Sequence, residues 1–280
     1  MAESSDIPPH PPVVGVEAEP KTIPALAATA AGLAKALHLP LADTLDEGEL
    51  DLLLAVTPER LELRVVAEDS DLAGGHPVAI DLGEIDTRSP MGRSLRQPLL
   101  RAVGVRKGES ERPRVLDATA GFGEDSWLLA SMGCPVLAVE RVPVMAALLC
   151  DAVRRAAAED PGAAGRLSVI HGNSIGLLRR LARDEPGGDF PPAFAKSDVV
   201  YLDPMFPTGR KARERKPMRV LRWLVGEDPD AGELLSAALA AATRRVVVKR
   251  PAKADFLPGP VPSATHEGRA VRYDVYGISK

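Results

Sequence analysis

From residue 115 onward, short apolar runs alternate with longer stretches in which apolar positions recur every three or four residues. Val115–Asp117, Pro135–Glu140, Leu167–His171, Asp198–Leu202 and Arg245–Lys249 read as strands. Between them, Glu124 to Met132, stopped by Gly133, reads as a helix, as does Pro143 to about Ala158. Proline suits the first helical position because its missing N–H has no partner to lose there. Asp230 is placed to cap a helix running through Ala242, and the alternating Val271–Tyr276 closes the sheet. Strands alternating with helices predict an α/β fold with a mostly parallel, doubly wound sheet.

The pattern upstream differs. Residues 25–38 suit a short helix, and the runs Leu50–Val56 and Leu61–Val66, joined by Thr57-Pro58-Glu59-Arg60, suit a hairpin. Val78–Leu82 is expected to add a third strand. Residues 1–24, rich in proline and acid and without apolar periodicity, read as a disordered tail. The expected organisation is a tail at 1–24, a small α+β domain at 25–90 without a catalytic constellation, and a larger domain at 91–280.

Charge sharpens this division. Residues 1–90 carry 5 Lys+Arg against 17 Asp+Glu, whereas 91–280 carry 30 against 22. The larger portion is therefore the part suited to a polyanion. No apolar run approaches the roughly 20 residues of a membrane-spanning helix, and the N-terminus has neither the basic start nor the apolar block of a signal peptide. Cys134 and Cys150 form no C-x-x-C pair, and their apolar contexts predict two buried thiols in a reducing cytoplasm.

Ligands of doubly wound sheets bind beyond the carboxyl ends of the strands. The first such loop is Asp117-Ala-Thr-Ala-Gly121-Phe-Gly123-Glu124-Asp125. Gly121 and Gly123 let the backbone turn sharply and approach a ligand. Glu140, ending the second strand, can accept both ribose hydroxyl hydrogens, as the acid after a dinucleotide fingerprint does. A nicotinamide dinucleotide is the rival ligand, but it wants a third glycine where Ser126 stands. The acids at 117, 124 and 125 would also repel a pyrophosphate at the helix N-terminus. They suit S-adenosylmethionine, which carries a sulfonium and an ammonium and no phosphate. After the third strand, Asn173 or Ser174 either bonds the adenine edge or caps the next helix. His171 reads as a packed or locally bonded histidine, and Trp223 as core.

The fourth strand ends in Tyr201-Leu202-Asp203-Pro204-Met205-Phe206-Pro207. The exocyclic amine of a base is a poor nucleophile because its lone pair is delocalised into the ring. Acceptors aimed at its N–H bonds favour a pyramidal nitrogen and free that pair. Asp203 and a backbone carbonyl beside Pro204 can supply them, with Phe206 stacking on the base. In-line displacement at a methyl carbon then needs positioning and electrostatics, and no metal. The basic run Arg210-Lys211-Ala-Arg213-Glu-Arg215-Lys216 follows, placed to anchor phosphates. Lys249 and Arg250, ending the fifth strand, are expected on the same rim, gripping RNA or the base.

Taken together, LDATAGFGEDSWLLASMGC, the VER of 139–141, VVYLDPMFP, MRVLRWLVGEDPDA and RRVVVKRP resemble the ribosomal RNA small subunit methyltransferase J family, the 16S rRNA guanine-N2 methyltransferases. The resemblance covers about Val103 to Tyr276. It implies a seven-stranded, Rossmann-like class I S-adenosylmethionine-dependent methyltransferase. It places cofactor contacts on Glu124-Asp125, Glu140-Arg141, Asn173-Ser174 and Asp203, and names guanosine N2 in 16S rRNA, free or in the 30S subunit, as substrate. The family pattern has Arg where Glu124 stands and paired Ser where Asn173-Ser174 stand. Other enzyme readings are methylation of adenine N6 or cytosine N4 in DNA, and a nicotinamide oxidoreductase. A non-catalytic RNA-binding assembly factor is the alternative from another class.

Overall fold

A computed structural model of the chain describes residues 10–46, 48–67, 72–74, 76–185, 187, 190–205, 216–226 and 230–278. In chain order the elements are β1 (Val14–Ala18), α1 (Pro24–Leu37), β2 (Leu52–Val56), β3 (Leu61–Val65), α2 (Pro98–Val103), β4 (Val115–Asp117), α3 (Glu124–Ser131) and β5 (Val136–Glu140). They continue with α4 (Pro143–Ala156), α5 (Pro161–Ala164), β6 (Leu167–His171), α6 (Ser174–Ala182), β7 (Val199–Leu202), α7 (Lys216–Val225), α8 (Ala231–Ala241), β8 (Arg245–Pro251), β9 (Ala264–Glu267) and β10 (Val271–Gly277). None of the described helices is long and apolar enough to cross a membrane.

The chain packs as two compact units. The first comprises Met1–Ile80, Val142–Ala152 and Phe206–Glu227, and the second Asp81–Arg141, Val153–Met205 and Asp228–Lys280. In the first unit, β2 and β3 form the expected antiparallel hairpin, Leu52 opposite Val65 and Val56 opposite Leu61. Its turn is closed by Thr57, whose hydroxyl donates to the Arg60 carbonyl and accepts the Arg60 amide. Residues 14–18, expected within a tail, are instead strand β1, parallel to β2. Val14, Val16 and Ala18 are buried, so this short run has a sheet face to fill although its flanks are polar. The expected strand at 78–82 is reduced to a single bridge between Val78 and Leu63, and Leu82–Glu84 is a 3₁₀ turn. Trp223 is buried as expected, its indole N–H donating to the His10 carbonyl.

The second unit holds a seven-stranded sheet in the order β6-β5-β4-β7-β8-β10-β9. The five strands β6, β5, β4, β7 and β8 run parallel, and β10 pairs antiparallel with both β8 and β9. Every residue of β4, β5 and β7 is buried, as strands covered on both faces require. Two details depart from expectation. Val271–Tyr276 is not the last strand, because β9 lies outside it. That edge strand, Ala-Thr-His-Glu, is largely exposed and so lacks the apolar signature that marks the others. Asp230 occupies the N-cap position of α8 without a side-chain cap bond; its carboxylate lies 3.7 Å from Arg141 Nη1 instead.

Of the two thiols, Cys134 is buried, and withdrawal from water pushes it up to about 12. Cys150 is exposed, contrary to expectation. It falls on the polar side of α4, while Leu148 and Leu149 take the buried side.

Candidate active site

Five parallel strands bring their carboxyl ends to one edge, and the chain reverses direction across the sheet between β4 and β7. β5 and β6 lie to one side of that pair and β8 to the other. A crevice at such a switch point is where an open α/β sheet binds ligands. The loop after β4 and the turn after β7 both emerge there.

The loop after β4 is organised around Asp117, which is 2% exposed. Its Oδ2 accepts the Ser126 hydroxyl at 2.6 Å and its Oδ1 accepts the Thr119 amide at 3.0 Å. Burial outweighs these two bonds and pushes the carboxyl up to about 7. Gly121 and Gly123 take φ of +51° and +74°, so the loop needs glycine at both. The Gly121 amide donates to Glu140 Oε2 at 2.9 Å, tying the loop to the end of β5. Glu124 and Asp125 occupy the first turn of α3, and no basic side chain lies between residues 117 and 131. An N-terminus already furnished with acids rejects a phosphate and accepts a cationic ligand. The residues present therefore fit a sulfonium- and ammonium-bearing cofactor.

The turn after β7 sits directly against this loop. The Asp203 amide donates to Thr119 Oγ1 at 2.6 Å, and the Ala118 amide donates to the Tyr201 carbonyl at 2.9 Å. Pro204 is buried beneath the turn. Strand register explains what Asp203 meets next. Leu202 lies opposite Val248, so the following residues, Asp203 and Lys249, come side by side. The Lys249 ammonium is 2.9 Å from Asp203 Oδ2 and 2.7 Å from Asp125 Oδ2. The Tyr201 hydroxyl donates to the same Asp125 oxygen at 2.5 Å. Withdrawal from water pushes Asp203 up to about 6 in spite of the Lys249 charge that opposes it. Burial works against charge on Lys249 too, but the carboxylates of Asp203 and Asp125 outweigh it and hold the ammonium above the usual lysine range.

Sequence patterning thus places Asp117, Gly121, Gly123, Glu124, Asp125, Glu140, Asp203 and Pro204 at one edge, and the structure brings them together. Asn173 and Ser174 follow His171, which pairs with Glu140, and so stand at the same edge, where both are also engaged within the fold. Asn173 caps α6, its Oδ1 accepting the Gly176 amide at 3.0 Å. Ser174 is buried and donates to the Ala118 carbonyl at 2.6 Å, bracing the loop from beneath. Replacing Asn173 with alanine is expected to destabilise the protein by about 1 kcal/mol through loss of the cap. Thermal unfolding checks this; an unchanged melting temperature with weakened cofactor affinity would put the residue on the ligand. His171 Nε2 donates to the Arg141 carbonyl at 3.2 Å, a local bond as expected. Lys216 opens α7 and donates to the Gly74 carbonyl.

The expected rim role of Lys249 and Arg250 is corrected. Lys249 faces the acids, not solvent, and Arg250 is 8% exposed, with Nη2 donating to the Asp255 carbonyl at 2.5 Å. Side chains alternate along a strand, so the two could not share one rim. Phe206, Arg210, Lys211, Arg213 and Arg215 lie outside the described residues. Thr119, Tyr201 and Ser126 are parts of the site that patterning missed. A hydroxyl two residues after Asp117 and a tyrosine within an apolar strand are too common to stand out before the fold aligns them.

A family profile described as "Putative SAM-dependent methyltransferase" matches residues 33–278. The ribosomal RNA small subunit methyltransferase J of Thioalkalivibrio sulfidiphilus is 43% identical over 252 residues, covering 88% of this chain and 92% of that protein. Its namesake from Pseudomonas fluorescens is 42% identical over 259 residues, covering 90% and 91%. Among solved structures, a SAM-dependent methyltransferase from Neisseria gonorrhoeae is 30% identical with a TM-score of 0.66, covering 95% of each chain. With these matches spanning both the loop after β4 and the turn after β7, this chain belongs to the ribosomal RNA small subunit methyltransferase J family of S-adenosylmethionine-dependent methyltransferases.

Proposed function

We propose that the enzyme transfers the methyl group of S-adenosylmethionine to the N2 amine of a guanosine in 16S rRNA, giving N2-methylguanosine. The observation that carries this reading is the 2.6 Å bond from the Asp203 amide to Thr119 Oγ1, which sets the amine-accepting turn against the acid-lined loop. The names of the curated relatives support small-subunit rRNA as the substrate class.

Bound S-adenosylmethionine supplies a methyl carbon made electrophilic by a cationic sulfonium. The chain's own residues do the rest. Asp117, Glu124 and Asp125 favour a cation at the loop after β4, and Glu140, at the end of β5, would accept from the ribose hydroxyls. Asp203 accepts an N–H of the guanine amine, and its backbone carbonyl, held by Pro204, accepts the other. Both contacts strengthen as the nitrogen pyramidalises, so they favour the transition state over the bound base. As the methyl carbon passed to the nitrogen, its bond to sulfur would break and leave the electron pair on a neutral thioether; the nitrogen then sheds one proton, which a carboxylate with a raised pKa is suited to take. Phe206 is assigned to stacking on the base, and Arg210, Lys211, Arg213, Arg215 and Lys216 to RNA phosphates.

The test offers radiolabelled S-adenosylmethionine and the purified enzyme three substrates: 16S rRNA, 30S particles from a deletion strain, and plasmid DNA. Label on RNA that digests to N2-methylguanosine is expected. Label on DNA alone, or on another nucleoside, would overturn the reading. The double variant Lys211→Ala/Arg213→Ala is expected to weaken RNA affinity and reduce the magnitude of the slope of log K against log salt by about 1.4, or about 0.7 per lost phosphate contact. Filter binding across a salt series measures it, and an unchanged slope removes these residues from the interface.

A further inference from the structure

We propose that Lys249 is a positioning residue that couples the cofactor side of the crevice to the substrate side, through one ammonium bridging Asp125 and Asp203. The proposal rests on the reading of Asp203 as the acceptor for the substrate amine. Asp125 belongs to the first turn of α3, which carries the cofactor loop, and Asp203 to the turn after β7. Lys249 reaches them from β8, at 2.7 Å and 2.9 Å. In this geometry Lys249 engages Asp203 through Oδ2, which leaves Oδ1 to meet the amine.

The surroundings explain why a cation is needed there. Asp203 is faced by Asp125 and Glu124 of α3, Asp117 at the end of β4, Tyr201 of β7 and Tyr273, the β10 residue opposite Lys249. Burial, and after it the neighbouring carboxylates, raise the affinity of Asp203 for a proton, and the tyrosines, both buried, supply no charge to offset them. Lys249 is the cation paired with Asp203 among the described residues. It cannot serve as a general base, because the same carboxylates keep it protonated. Its part is to keep Asp203 ionised and turned, and to tie that carboxylate to the loop that grips the cofactor. A lysine chosen for RNA would not be drawn in from solvent to 24% side-chain exposure between two acids.

The experiment measures kcat/KM for methyl transfer across pH, and S-adenosylmethionine affinity by calorimetry, for the full-length wild type, Lys249→Met, Lys249→Gln, Lys249→Arg and Asp203→Asn. Removing the charge is expected to move the acid limb of the profile upward by about 1 to 3 pH units, the range a close opposite charge accounts for. Lys249→Arg should leave the limb near its wild-type position. A residue that only packs would lower activity at every pH without moving the limb. An unmoved limb in Lys249→Met therefore overturns the proposal. Should that variant not fold, an unmoved limb in Lys249→Gln, closer in polarity to lysine, overturns it equally. Failure of the underlying reading looks different: Asp203→Asn would then retain wild-type turnover whatever Lys249 does.

Discussion

Replacing Asp203 with alanine is expected to lower methyl transfer by about 10²- to 10³-fold, the loss typical of removing one aligned polar partner of a transition state. Cofactor affinity should fall much less, because Asp117, Glu124, Asp125 and Glu140 remain. The carboxylate is the productive form, as only it accepts an N–H at either oxygen. Since Asp203 is raised to about 6, wild-type turnover with cofactor saturating should be intact at neutral pH and fall as the pH drops through about 6, whereas Asp117, raised to about 7, bears on cofactor affinity. Asp203→Asn should be slow and lack that acid limb, having nothing to titrate at the position. Single-turnover rates with labelled cofactor, measured beside a calorimetric titration, check both statements. Turnover near wild type in either variant would remove Asp203 from the reaction. An equal loss in affinity and rate would make it a cofactor ligand only.

The largest effect on stability is expected at Asp274, which is fully buried. Its two oxygens accept Arg272 Nε at 2.9 Å and Nη2 at 3.2 Å, and Oδ1 also accepts the Thr265 hydroxyl at 3.2 Å. Arg272 spends Nη1 on the carbonyls of Ala252 and Ala254, at 3.0 Å and 2.6 Å, and its guanidinium lies 4.8 Å from the centre of the Phe256 ring. One residue thus anchors the segment that leaves β8. Asp274→Ala would strand the guanidinium of Arg272, a residue 8% exposed, and breaking a buried pair from one side costs about 3–5 kcal/mol. A fall in melting temperature of roughly 10 °C is the corresponding signal. Removing both partners, as in Arg272→Met/Asp274→Leu, should recover much of the loss, because no buried charge then lacks a partner. A melting temperature for Asp274→Ala within a degree or two of wild type would refute this account.

These two aspartates differ in how far the sequence exposes them. Asp203 follows an apolar run and precedes Pro204, so its place at a strand end is legible, and with Asp117 and Glu140 it marks one edge of a parallel sheet. Asp274 sits inside an alternating strand, where a carboxylate ordinarily faces water. In the fold it is fully buried and accepts the hydroxyl of Thr265 on β9, a polar edge strand that no periodicity announces. The same limit hid β1, five residues set among polar and proline-rich neighbours.

What the chain determines locally is the alternation of strands and helices, the glycines that permit the turn after β4, and the acids at the strand ends. These follow from steric freedom and from the period of apolar residues, which are properties of neighbours along the backbone. What only the tertiary structure decided is which charges meet. Lys249 reads as a surface cation until β8 aligns with β7, and Arg250 reads as its companion until strand alternation turns the two apart. Asn173 reads equally as ligand or cap, and the fold adds that its oxygen caps α6. Pairing across strands joins residues far apart in sequence, and no local pattern records the register that brings them within hydrogen-bonding reach.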